Sequence, residues 1–217
     1  MGFIHRRTSK QAGKVKNLLG LALSRLAVAR RPRLARKSIF RGDVGQLLAL
    51  GYQDRALHRV CTSLESQSSY TVLFNTGILM LAPFSSQAEQ VIEEENMLEA
   101  FDMIELYCNR LIEYAVQLDK PNECDEDIRE AVSGIMFAAG WCGDLQELLF
   151  ARTILANKFG SDFTTAAKEG TSIVDPMLVW KLSGDKTNME LKKKVVKDIA
   201  AENNIMVDFS ELPGVGV

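Results

Sequence analysis

Two histidines, four cysteines and several carboxylate runs are the groups in this chain whose types suit metal, nucleophilic or acid–base chemistry. Their spacing argues against all three. His5 and His58 are the only histidines, and neither has a cysteine or carboxylate set beside it that could complete a metal site. Cys61, Cys108, Cys124 and Cys142 contain no C-x-x-C pair and follow no signal peptide, which points to a reduced, intracellular chain. The carboxylates of EEEN (93–96) and EDIRE (126–130) read as solvated helix faces. No G-x-S-x-G, Walker A or G-x-G-x-x-G run occurs. The expectation is a non-enzymatic protein with no catalytic residues, no cofactor and no metal.

Charge offers the positive clue. Residues 1–60 hold 14 Lys/Arg against 2 Asp/Glu, while residues 89–150 hold 3 against 16. The net charge of −2 hides this asymmetry. It suits an anionic partner at the basic end and pairing between the two segments. Lys10, Lys14, Arg25, Arg30, Arg31 and Arg33 are the candidate membrane- or anion-binding residues, centred on RRPRLARK. Clustered Lys/Arg gain about 1 kcal/mol each near an anionic bilayer. No aromatic residues interleave to stack on bases, so lipid head groups are favoured. The alternative is a basic helical nucleic-acid-binding protein using residues 6–41. The start MGFIHR misses the myristoylation pattern at Arg6.

The elements that position these residues read as helices throughout. Val15, Leu18, Leu19, Ala22, Leu26 and Ala29 recur at three- and four-residue steps over 10–31. Pro32 is expected to kink or interrupt that helix, which resumes through Leu34, Ile39, Val44, Leu47 and Leu48 and is capped at Gly51. A second helix starts near Asp54. The pattern returns at Glu89 and runs to Lys120, where Pro121 ends it. A third helix covers 125–139. Asp144 and Glu147 form a D-x-x-E capping signature for a fourth, ending near Gly160. Asp175 caps a short helix, DPMLVWKL, with Pro176 in its first turn and Trp180 as a buried anchor. Thr187 and Glu190 open the last one. The fold class is all-α.

Residues 61–88, CTSLESQSSYTVLFNTGILMLAPFSSQA, carry a single charge, Glu65. The uncharged run is shorter than the roughly 20 residues a spanning helix needs. Its residues are those of thymine-rich codons. Without it, DRALHRV joins EQVIEEENMLEAF in one helical period. The segment is expected to be translated intron or a gene-model artefact; a surface loop and a membrane-touching loop are the alternatives.

The order KVKNLLGLALSRLAVARR, ARKSI, GYQDRALHRV, EQVIEEENMLEAFDMIELYCNRLIE and GTSIVDPMLVWKLSG resembles the Ist family of ESCRT-III-like regulators, named for increased sodium tolerance. LEAFDMIELYC and VDPMLVWKL together are specific. The resemblance spans nearly the whole chain apart from 61–88, and implies one domain over 1–209 with a flexible tail at 210–217. It implies a long helical hairpin with shorter helices completing an ESCRT-III-like bundle. The Asp175–Leu182 segment would be a short helix docked near the hairpin, with Asp175, Pro176, Leu178, Trp180 and Leu182 as packing or protein-interaction residues. It also implies binding to the charged multivesicular body proteins, control of the AAA ATPase that disassembles their polymers, and possible self-assembly. The place of action would be cytoplasmic, peripheral on endosomal membranes, in protein transport. Direct recruitment of the MIT-domain ATPase is less expected. The sequence ends at Val217, and its FSELPGVGV matches an MIT-docking motif only in part.

Overall fold

The computed structural model describes residues 9–57, 86–186 and 188–209; His5, His58, Cys61, most of the 61–88 segment and the tail 210–217 lie outside the described residues. Eight α-helices are described: α1 (Lys10–Ala49), α2 (Gln53–Leu57), α3 (Gln87–Glu113), α4 (Glu126–Ala138), α5 (Gln146–Phe159), α6 (Ser161–Glu169), α7 (Pro176–Ser183) and α8 (Met189–Glu202). Two 3-10 turns, Gln117–Asp119 and Pro121–Glu123, stand between α3 and α4. There is no strand among the described residues. The residues divide into two compact units, one formed by positions up to 35 and 95–185, the other by 36–94 and 186 onward.

The first unit is built on α4. Every residue from Ala131 to Ala139 is buried. Against it pack the α1 stripe Ala12, Val15, Leu19, Ala22 and Leu26, and the α3 stripe Phe101, Ile104, Cys108 and Leu111. These three- and four-residue steps place one face of each helix inward. Each such leucine or phenylalanine contributes roughly 1.5–3 kcal/mol by leaving water. Gly134 permits one very close approach, because a Cβ there would stand 2.5 Å from the Tyr107 ring.

The second unit has its own core of Val44 and Leu48 from α1, Leu57 from α2, Val91 and Ile92 from α3, and Val196 and Ile199 from α8. Gly51, at φ +77°, closes α1 as expected: its N–H reaches Leu48 O at 3.0 Å and the next, Tyr52 N–H, reaches Leu47 O at 2.8 Å. Lys192 and Glu89 form a buried ion pair, with side chains 5% and 6% exposed. The two pieces expected to form a single rod, around Leu57 and Val91, share this core.

Several boundaries differ from expectation. Helix α1 is continuous through Pro32, which neither interrupts nor ends it. Arg30 and Arg33, on either side, are tied within the first unit to α3 and to the turn before α5. Helix α3 stops at Glu113 rather than near Lys120, giving way to the 3-10 turns. It begins at Gln87, inside the stretch assigned to the insertion. Ser86 and Glu89 make a reciprocal box: Glu89 N–H donates to Ser86 Oγ at 3.2 Å and Ser86 N–H donates to Glu89 Oε2 at 3.3 Å. Asp144 and Glu147 do not cap α5. Its N-cap is Leu145, without a side-chain cap bond. Thr187, expected to open α8, lies outside the described residues; Glu190 is in its first turn, and Asn188 caps it through the amides of Glu190 and Leu191. Helix α6 was not foreseen.

Candidate interaction site

The six basic residues singled out on α1 are not one free patch. Lys10, Lys14 and Arg31 are exposed and make no ion pair among the described residues. The other three are engaged within the first unit. Arg25 Nε lies 2.9 Å from Glu147 Oε1. Arg30 pairs with Asp102 and, at 2.6 Å, with Glu105 Oε2. Arg33 Nη2 lies 3.6 Å from Asp144 Oδ2 and its guanidinium sits 5.4 Å over the Phe101 ring. The two carboxylates expected to cap α5 therefore serve α1 instead, which explains the missing cap. The internal pairing expected from the charge asymmetry is thus present in this unit. Pairs this exposed contribute about 0–1 kcal/mol each, so an external anion can compete for them. Leu21, Val28 and Leu34 add exposed apolar surface to the same helix, more than half exposed each. Leu21 and Val28 fall off the buried stripe, whereas Leu34 and Ile39, expected to continue it, are exposed instead.

The second group surrounds α7. Asp175 caps it as expected, accepting from Met177 N–H at 2.7 Å. Pro176 occupies the first turn. Leu178 and Leu182, four residues apart, are buried in the core. Trp180 is not the buried anchor expected of it. It lies two residues from each leucine, on another face, and is 38% exposed, with Lys181 Nζ 4.9 Å from its ring centre. Lys181 in turn bonds Asn96 Oδ1 at 3.1 Å and Glu99 Oε2 at 2.6 Å, fixing α7 to α3 within this unit. Met177 adds a second exposed apolar side chain to α7.

Beside the start of α7 lies a pocket of about 310 Å³ lined by Glu126, Arg129, Glu130, Phe163, Ile173 and Asp175, among others. Tyr107 bonds two of its lining carboxylates. Its hydroxyl lies 3.1 Å from Glu130 Oε1 and 3.3 Å from Asp175 Oδ2, sharing one proton between two carboxylates. Burial, then the charges of Asp175 and Glu130, push the phenol far above its usual value, so it stays a donor. Arg129 is turned over the Phe163 ring at 5.1 Å. The arrangement offers negative charge and apolar wall together, which suits a basic, amphipathic peptide. It offers no nucleophile beside a base. No group of residues able to hold a metal ion occurs among the described residues, and no described helix is long and apolar enough to cross a membrane.

Comparison with known proteins places this geometry. Residues 84–206, which run from the approach to α3 through α8, match the family described as Ist1, regulator of Vps4 activity in the MVB pathway. The chain belongs to the Ist1 family. No curated protein matches it. Among solved structures, the N-terminal domain of S. cerevisiae Ist1, in complex with the Did2 MIM motif, is similar at a TM-score of 0.67 and 20% identity. That likeness covers 92% of this chain and 96% of the other, and at such an identity it speaks for the fold. The Ist1-family pattern begins at residue 84, ahead of the Ser86–Glu89 box, so the box and the first turn of α3 fall within it.

Proposed function

We propose that this Ist1-family chain binds ESCRT-III subunits, the charged multivesicular body proteins, and through them modulates Vps4, the disassembly ATPase. It does so without catalysis of its own, as a peripheral cytoplasmic protein on endosomal membranes. The observation that carries this reading is the family match over residues 84–206. In support, the yeast Ist1 domain of the same fold was solved with a MIM motif bound. On this chain, α7 and the pocket beside it are the protein-docking site. Met177 and Trp180 supply apolar contact, and Glu126, Glu130 and Asp175 face basic residues of the incoming helix. Pro176, Leu178 and Leu182 hold α7 in place. Lys10, Lys14 and Arg31 meet anionic lipid first, with Arg25, Arg30 and Arg33 joining when their carboxylate partners yield. The domain takes in residues 1–209, and weak contacts multiplied along a polymer give avidity.

Binding of a labelled peptide carrying the Did2 MIM motif tests the docking site. Trp180→Ala and Glu130→Lys should each weaken binding about tenfold or more, the effect of losing a buried anchor or reversing a facing charge. Equal affinity in both variants removes α7 as the site. Failure of the unaltered chain to bind that peptide and any ESCRT-III subunit removes the reading itself.

A further inference from the structure

The start of α1 holds a serine that neither the docking site nor the lipid face uses. Ser9 caps the helix, its Oγ accepting from Ala12 N–H at 3.2 Å. The Ser9 hydroxyl also donates to Asp119 Oδ1, and the Ser9 N–H donates to Asp119 Oδ2 at 2.8 Å. Asp119 sits in the 3-10 turn Gln117–Asp119 and takes a third bond, from Lys158 Nζ on α5 at 2.8 Å. One carboxylate thus ties the first turn of α1 to the turn after α3 and to the end of α5, all within the first unit. Ser9 is exposed. The sequence before it reads Arg6-Arg7-Thr8, which places guanidinium groups three and two positions ahead of the hydroxyl. Protein kinases with acidic peptide grooves select that spacing, because paired carboxylates bind guanidinium groups bidentately.

We propose that Ser9 is a phosphorylation site for a basophilic, ATP-dependent protein kinase, and that the phosphate releases the first turn of α1 from Asp119. In the transfer, Ser9 Oγ attacks the γ-phosphorus of ATP. The Oγ–P bond forms as the bond to the bridging oxygen of ADP breaks, and the hydroxyl proton passes to the kinase's carboxylate base. The products are phosphoserine and ADP. The modified oxygen has no hydrogen left to donate to Asp119. A group of charge about −1.5 to −2 then stands where the hydroxyl met the carboxylate, and one Lys158 ammonium faces both. The same phosphate suits the N-terminus of α1, whose amides and dipole attract anions. The helix therefore keeps its first turn while the tie to Asp119 is lost.

The test treats the full-length chain with the catalytic subunit of a cyclic-nucleotide-dependent kinase and ATP, followed by mass spectrometry and amide hydrogen exchange. A single phosphate is expected on Ser9. Ser9→Asn, which keeps a capping side chain, should take up none, and Arg6→Ala/Arg7→Ala should react at least about tenfold more slowly. Exchange of the peptide covering 117–120 should quicken at least about tenfold on phosphorylation in the unaltered chain, and not at all in Asp119→Asn. Phosphate on Thr8, phosphate on Ser9→Asn, no phosphate, or an undiminished rate in the double arginine variant overturns the site. Phosphate on Ser9 with unchanged exchange at 117–120, or with the same quickening in Asp119→Asn, overturns the release.

Discussion

Asp119 and Gly134 show how much of the first unit hangs on single residues. Burial alone would push the Asp119 carboxyl up, but the hydrogen bonds from Lys158 and Ser9, with the charge of Lys158, outweigh it and hold the group below its ordinary 3.8. A carboxyl lowered in the folded state stabilises it fully above roughly pH 4 and loses that contribution as pH falls through the lowered value. The stability gap between the unaltered chain and Asp119→Asn should accordingly be widest at neutral pH and narrow below about pH 4, as read by urea unfolding at stepped pH. Gly134 makes the opposite kind of demand, for empty space. A methyl group there meets Tyr107 ring atoms at 2.5 and 2.7 Å, so the ring or α4 must move. Gly134→Ala should cost about 1–3 kcal/mol by chemical denaturation, against the small gain in helix propensity that alanine brings elsewhere. Neither residue's importance was legible in the sequence. In the sequence Asp119 is one acid among several before Pro121, and Gly134 one small residue in a helical stretch. What decides both is a partner distant in sequence.

At the scale of elements, legibility followed periodicity. The buried stripe of α1 was readable because Val15, Leu19, Ala22 and Leu26 repeat at helical steps, and all four are buried. The short helix α7 was readable from Asp175 and Pro176 at its start. Helix α6 escaped notice because SDFTTAAKE is short, polar and joined to α5 through Gly160 alone. The cap assigned to α5 failed because an acid near a helix start can serve the helix or a cation elsewhere, and here the arginines of α1 take both. Pro32 does not interrupt its helix. A proline inside a helix costs about 3 kcal/mol and removes one bond, yet α1 is continuous through it. Pro32→Ala should therefore stabilise the protein, by up to about 3 kcal/mol, with a raised melting temperature and unchanged helix boundaries in hydrogen exchange. The start of α3 carries a matching prediction. Ser86→Ala, which removes one half of the reciprocal box, should cost about 1 kcal/mol in the same measurement.

For the molecule as a whole, the charge asymmetry of the sequence remains the informative quantity. Basic residues before position 60 and acidic residues after 89 meet in pairs within each unit: Arg25, Arg30 and Arg33 in the first, Arg36 with Glu94 in the second. The family and the all-helical fold could be read from residue order and helical spacing, whereas the division of α1 cations into engaged and exposed groups could not. Sedimentation with phosphatidylserine vesicles should reflect that division. Lys10→Glu/Lys14→Glu/Arg31→Glu is expected to lose binding at low salt, while Glu147→Gln, which removes the charged partner of Arg25, is expected to gain it.

Cys108 and Cys142 lie in the core of the first unit, where burial pushes each thiol up to about 12. Thiolate is the reactive form, so both are closed to maleimides and to mild oxidants at neutral pH. Cys124, half-buried at the foot of α4 with its S–H toward Gln117 O, is the described thiol a reagent can reach. With Cys61 replaced by serine, a fluorophore attached there would stand beside the Gln117–Asp119 turn and report on its movements without entering the core.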